Sequence, residues 1–347
     1  MVGKYIIMSL KLSLIDLSSV PYGGTRRDAY LNTIATAKHI EDLGFHRIWL
    51  AEHHNSLQLA GRAPEILIPT IASETSKIRV GSGSVLLNHY SPFKVAEVFG
   101  SLEELFPGRI DLGIGRATTG PVVDLALQRN RSFRQMTNDS MEQLEEILAW
   151  YDGDFGDDHP FNQVNVYRDA PPPPAYLLGS SSWSAQAAAK VGLPYVFASF
   201  INPAQTYQNI QIYKQNFKPS KHVQGIQEPK IILALNIYCQ ESEKEALKFS
   251  APVRLMMMRM RKGDLLSPIV SEEEAHAMLD EGRMAKRLED VKNMPHQMTG
   301  TPEVLKEELE TIADFYGIDE IMIQMISSNH TKRLHSLELL AKMFSTK

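Results

Sequence analysis

The feature that most constrains this chain is the alternation of strand-like and helix-like hydrophobic periods along its first half. Residues 11–17 read as a strand ending at an acidic position, Asp16, and residues 28–43 place Ile34, Ala37 and Ile40 at helical spacing before the stop signal Gly44. Residues 47–50 form a short strand around Trp49, residues 63–75 a helix opened by Pro64, and residues 78–87 a strand rich in Gly and Ser. Pro92 opens the next helix, with Val95, Val98, Phe99, Leu102 and Leu105 on one stripe. Phe106, Pro107 and Gly108 stop it, and residues 109–114 return to strand. Four such alternations predict a parallel sheet with right-handed crossovers.

The pattern continues with strands at 175–178, 195–200, 231–238 and 320–326, and helices at 184–191, 203–217, 242–249, 302–316 and 331–344. This order predicts a closed (β/α)8 TIM barrel in the α/β class. An open doubly wound sheet would carry a glycine fingerprint directly after the first strand, and Asp16-Leu17-Ser18-Ser19-Val20-Pro21 supplies none. A plain barrel needs about 250 residues. The chain has 347, so the surplus is expected in loop excursions near 117–135, 152–174 and 254–298 of a single domain over 8–347, with 1–7 an N-terminal extension and Met8 an alternative start.

Charge and composition exclude some roles. The formal net charge is −5 and the basic residues are dispersed, so nothing resembles a phosphate-tracking surface and nucleic acid is not an expected partner. The tight basic cluster at 259–262 lies in a Met-rich stretch and reads as a solvated helix face. No segment approaches the roughly 18 apolar residues of a membrane span, and the N-terminus lacks the pattern of a secretory signal. Cys239 is the sole cysteine, which excludes internal disulfides and thiolate clusters; near the end of an apolar strand it is expected to be a buried, inert thiol. A cytoplasmic location is the expectation.

In such a barrel, chemistry belongs to the residues just after each strand, on the C-terminal face. Four of these places stand out. After the second strand comes Ala51-Glu52-His53-His54-Asn55: neighbours on extended chain point to opposite sides, so one imidazole can face the mouth while Glu52 orients the other. A polar turn with structural histidines is the plainer reading, and a metal site would need a further ligand, for which Asp16 is the good candidate. The Gly81-Ser82-Gly83-Ser84 strand marks either close approach of a flat ligand or tight barrel packing. Arg116 falls at the end of the fourth strand, where a guanidinium can bind a phosphate through two hydrogen bonds, whereas Arg109 at the other end reads as a stability residue. Gly179, Ser180, Ser181, Ser182 and Ser184 surround a helix start, which is either a simple N-cap or a phosphate cradle of free amides and hydroxyls. Together these suggest a planar, phosphate-bearing cofactor; FMN fits, as would another phosphorylated aromatic.

The segments Ile48-Trp49-Leu50-Ala51-Glu52-His53-His54, Ile78-Arg79-Val80-Gly81-Ser82-Gly83, the run from Phe106 to Arg116, Leu178-Gly179-Ser180-Ser181, Gly300-Thr301-Pro302 and Asp319-Glu320 resemble the bacterial luciferase-like flavin monooxygenase family. The likeness runs from about Leu10 to the C-terminus. It implies a TIM barrel, reduced FMN (FMNH2) as cosubstrate, O2 activation at the flavin C4a position as a peroxyflavin, and a homodimer packed through early barrel helices. By position, His53 matches the active-site imidazole, with Glu52 and His54 beside it. The Gly83–Ser84 bond matches a non-prolyl cis peptide under the flavin. Arg116, Ser181 and Ser184 match phosphate-binding positions, with Gly179 and Ser180 supplying backbone. The chain departs from close relatives after the fourth strand, reading Ala117-Thr118-Thr119-Gly120-Pro121 where they carry Ala-Pro-Gly-Thr-Asp, and has Ser84 where they often have a second glycine.

The leading expectation is a monooxygenase of a small organic substrate, fed FMNH2 by a partner reductase because no nicotinamide-binding domain is legible. Direct NAD(P)H use, a deazaflavin, a non-catalytic flavin binder and a metal-dependent hydrolase using Asp16, His53 and His54 are the competing readings.

Overall fold

The computed structural model describes residues 10–116, 120–127, 139–166, 169–264, 267–279 and 287–344. Its strands are β1 (Lys11–Asp16), β2 (Arg47–Leu50), β3 (Arg79–Ser82), β4 (Val85–Leu86), β5 (Ile110–Gly115), β6 (Ala175–Gly179), β7 (Tyr195–Ala198), β8 (Ile231–Cys239), β9 (Met298–Gly300) and β10 (Glu320–Gln324). Every pairing between them is parallel, and β1 lies between β2 and β10. The ring closes where β10 returns to β8, with Ile321 opposite Leu233. β3 and β4 are two pieces of one staves' position, both pairing with β5. Among the described residues, eight strand positions therefore close a parallel barrel with helices between them, the TIM architecture. β9 lies outside the ring and extends the pairing at the end of β8.

Local chemistry explains the helices. Arg26–Asp42 begins with a reciprocal capping box between Thr25 and Asp28, and Pro64–Glu74, Pro92–Leu105 and Pro302–Tyr316 each open on a proline whose missing N–H costs nothing there. Two outcomes depart from the periodicity reading. Ser140–Asp152 is a further helix, burying Leu144, Ile147, Leu148 and Tyr151. The helix expected to stop at 249 runs from Glu243 to Arg261 straight through Pro252. A proline normally interrupts by removing a hydrogen bond; here Ala246, Phe249, Val253 and Met256 continue one buried stripe, and Arg254 and Ser250 both donate to the Leu247 carbonyl. Of the expected excursions, 117–135 falls mostly outside the described residues, as does the extension at 1–7.

The barrel interior is not wholly apolar. Arg47, 1% exposed, donates from Nε to Glu320 at 2.7 Å and from Nη1 to Asp111 at 2.7 Å. Ser13 donates to Glu320, while Trp49 Nε1 and Arg79 donate to Asp111. Burial alone opposes the charge on Arg47, but the Asp111 and Glu320 carboxylates outweigh it and hold its pKa above the ordinary value. This network sits at the beginnings of β2, β5 and β10, the end of the barrel where residues serve stability. The opposite end is free for chemistry. No helix among the described residues is long and apolar enough to cross a membrane.

Candidate active site

The site grows from four successive strand ends, β2, β3–β4, β5 and β6. Leaving β2, the chain is pinned by Ala51 N donating to the Asp16 carbonyl and His53 N donating to the Gly61 carbonyl. Glu52 turns inward and is 5% exposed. Its Oε1 accepts from His54 Nε2 at 2.7 Å and from the Tyr90 hydroxyl at 2.7 Å, and its Oε2 accepts from Leu86 N at 2.9 Å. One carboxylate thus ties the end of β2 to β4 and to the turn after it. Burial and the Glu52 charge push the Tyr90 phenol up, so it stays a proton donor, and the same causes raise Glu65 on the neighbouring helix.

His53 points away from this cluster. It lines a cavity of about 280 Å³ with Arg26, His54, Asn55, Ser56, Leu57, Leu59 and Arg62. The imidazole is open to the cavity yet recessed among protein atoms; that loss of surrounding water, with His54 adding to it, pushes its pKa down to about 4. His53 is therefore neutral at neutral pH, able to accept a proton. His54, bonded to Glu52, is the structural member of the pair.

At the next strand end the Gly83–Ser84 peptide is cis. Packing accounts for the bareness of this strand. A Cβ on Gly83 would meet Trp49 Cβ at 2.9 Å, and one on Gly113 of the adjoining strand would meet the Ser82 carbonyl at 2.0 Å. Close approach by a ligand is not needed to explain these glycines.

Arg116 follows β5 directly, and its guanidinium lies 4.6 Å from the centre of the Trp183 ring. That stack joins β5 to the helix Ser182–Val191, whose N-cap is Ser181 in a capping box with Ser184. Ser184 Oγ donates to the Ser181 carbonyl at 2.7 Å and lies 3.1 Å from the Tyr195 hydroxyl, while the Ser180 carbonyl accepts from Asn202. The amides of Ser182 and Trp183 open the helix and have no acceptor within it. Gly179 is required by packing, since its Cβ would lie 2.4 Å from Ser184. Gln143 lines the same pocket as Arg116, and its Oε1 is buried without a hydrogen-bond partner among the described residues. The pocket there is about 10 Å³. The donors present fit a flavin phosphate: a cation with no ion pair among the described residues and two helix-opening amides.

The structure thus brings His53, Glu52, His54, Gly83, Ser84, Arg116, Gly179, Ser180, Ser181 and Ser184 to neighbouring strand ends. It separates Asp16, whose carboxylate pairs with Arg333 at 2.7 Å and accepts from Ser18 N and Thr33. No group of three or more potential metal ligands assembles among the described residues. Cys239 is fully buried and its thiol is pushed up to about 12, as an inert core residue should be. Tyr90, Trp183, Gln143 and Arg62 were not legible as site residues, because each reaches the site from a helix, turn or loop whose own period says nothing about the mouth.

A parallel barrel that gathers a carboxylate-braced histidine pair and an arginine beside a helix start on one rim is the scaffold of a class of barrel enzymes. The family profile described as luciferase-like monooxygenase matches residues 11–318, and the chain belongs to that family. It is 38% identical over 339 residues to protein YwcH of Bacillus subtilis, covering 97% of this chain and 99% of that one. It is 32% identical over 335 residues to the N-acetyl-S-alkylcysteine monooxygenase of the same organism, covering 96% and 97%. The crystal structure of apo-MsnO8 superposes with a TM-score of 0.85 at 38% identity, covering 96% and 97% of the two chains. The family marks the chain as an oxygenase.

Proposed function

We propose that this protein is a flavin-dependent monooxygenase that receives reduced FMN from a separate reductase and uses O2 to oxidise a small organic substrate at the barrel mouth. The observation that carries the proposal is the Arg116–Trp183 corner, a guanidinium with no ion pair among the described residues set against the start of a helix, one strand end from the cis Gly83–Ser84 peptide and two from His53. Arg116, the Ser182 and Trp183 amides and the Ser181 and Ser184 hydroxyls would hold the phosphate, and the backbone at Gly83 and Ser84 would support the ring. Bound FMNH2 would supply the two electrons that O2 activation requires.

The chain's own groups do the rest. Neutral His53 accepts a proton from the reacting molecule, as a weak base while its pKa stays depressed. Glu52 does not reach the cavity; through Leu86, Tyr90 and His54 it fixes the position from which His53 works. The relative named for N-acetyl-S-alkylcysteines supports a small organic substrate here. A homodimer through the early barrel helices belongs to the same proposal, supported by Ile66 and Leu105, 65% and 68% exposed on two of them.

The test is binding of FMN and riboflavin to the wild type and Arg116→Ala. A charge-assisted hydrogen bond contributes roughly 1.5–3 kcal/mol, so FMN affinity should fall about ten- to a hundredfold and riboflavin affinity should hold. Equal losses for both would remove Arg116 from the phosphate site.

A further inference from the structure

The cavity beside His53 has a chemical character that the flavin does not explain. Of its lining residues, two are arginines, two histidines, two leucines and two small polar residues, and no carboxylate is among them. Arg26 is positively charged and braces the chain: Nη1 donates to the Leu59 carbonyl at 2.8 Å and Nη2 to the Ser56 carbonyl. It thereby shapes the 55–59 loop and adds charge to the pocket. Arg62 is different. It is exposed, and no hydrogen bond or ion pair to any described residue engages its guanidinium. Glu52, which braces the rim, is buried behind His54 and already accepts three hydrogen bonds.

Opposite charge is thus absent from a pocket that holds two cations, and a guanidinium with free donors is the group best suited to a planar anion. The lining also has an apolar part: Leu57 is 50% exposed, and Leu59 lines the same cavity. We infer that the substrate of this enzyme is a small amphiphilic organic acid, its carboxylate held by Arg62 within the field of Arg26, its apolar body lying over Leu57 and Leu59 with the oxidised position turned to His53. This rests on the proposed function for the identity of the reaction, although the anion site itself rests on the cavity alone. Neutral His53 fits the assignment, because a protonated imidazole would compete for the carboxylate that Arg62 is placed to take.

The experiment is calorimetric titration with matched pairs, hexanoate against hexanamide and phenylacetate against phenylacetamide, into the FMN-loaded and the flavin-free protein. The carboxylates should bind at least tenfold more tightly than their amides. Arg62→Gln should erase that preference while leaving FMN affinity unchanged, and Arg62→Lys should restore part of it. Binding of amides and acids alike, a preference that survives Arg62→Gln, or no binding of either carboxylate overturns the inference. Failure of FMN to bind would strike the proposed function instead, and the carboxylate preference would still be read on the flavin-free protein.

Discussion

His53 and His54 are adjacent, yet the fold gives them opposite employment: His54 is bonded to Glu52, while His53 stands in the cavity with its pKa depressed. A histidine with a lowered pKa stays neutral as pH falls through the usual range near 6.5 and protonates only nearer 4. A carbon-13-detected NMR titration should show His53 unprotonated at pH 6, and His53→Ala should lower turnover far more than flavin affinity. An ordinary titration near 6.5, or lost flavin binding with unchanged turnover, would make His53 structural. Arg47 poses the complementary case of a charge used for structure. Arg47→Met leaves Glu320 without its cation and Asp111 with Arg79 alone, and breaking a buried pair in this way costs about 3–5 kcal/mol. Urea unfolding should register that loss; a change below about 1 kcal/mol would show that the network does not hold the barrel floor. The division of the two histidines was legible in the Glu52-His53-His54 run, whereas the role of Arg47 was not, because only ring closure brings β2, β5 and β10 to one interior.

At the scale of elements, strand order and most helix positions were legible, because the switch from extended to 3.6-residue periods survives in single stretches of chain. What escaped depended on partners distant in sequence. Three-residue β9 exists because β8 overhangs the ring and offers it an edge, and the helix through Pro252 persists because its buried stripe outweighs one missing bond. The serine-rich start of Ser182–Val191 admitted both a cap and a cradle from sequence, and the structure shows the cap formed, with the first two amides lacking an acceptor within the helix. Ser181→Ala should cost about 1 kcal/mol of stability, the usual value of an N-cap. If the same element also cradles phosphate, FMN affinity should fall in that variant with riboflavin affinity spared. A stability loss with unaltered FMN binding would leave Ser181 a cap and nothing more.

At the scale of the molecule, the barrel divides its labour along its axis. One end is closed by Arg47, Asp111 and Glu320; the other gathers His53, the Gly83–Ser84 turn, Arg116 and the helix of Trp183 on consecutive strand ends. The fold class and the rim positions could be reached from sequence, since a parallel barrel dictates where strand-end residues meet. The cavity's charge could not, because Arg26 and Arg62 lie on different crossovers and converge only when β1 and β2 pair. The central claim is that this rim binds reduced flavin and turns it on O2, and the most direct measurement is an anaerobic titration of photoreduced FMN followed by admission of O2 under an absorbance monitor. The account predicts saturable binding of the reduced form and, on oxygenation, a flavin spectrum distinct from both free reduced and free oxidised FMN. Absence of binding, or oxidation at the rate and with the spectrum of free flavin, would contradict it.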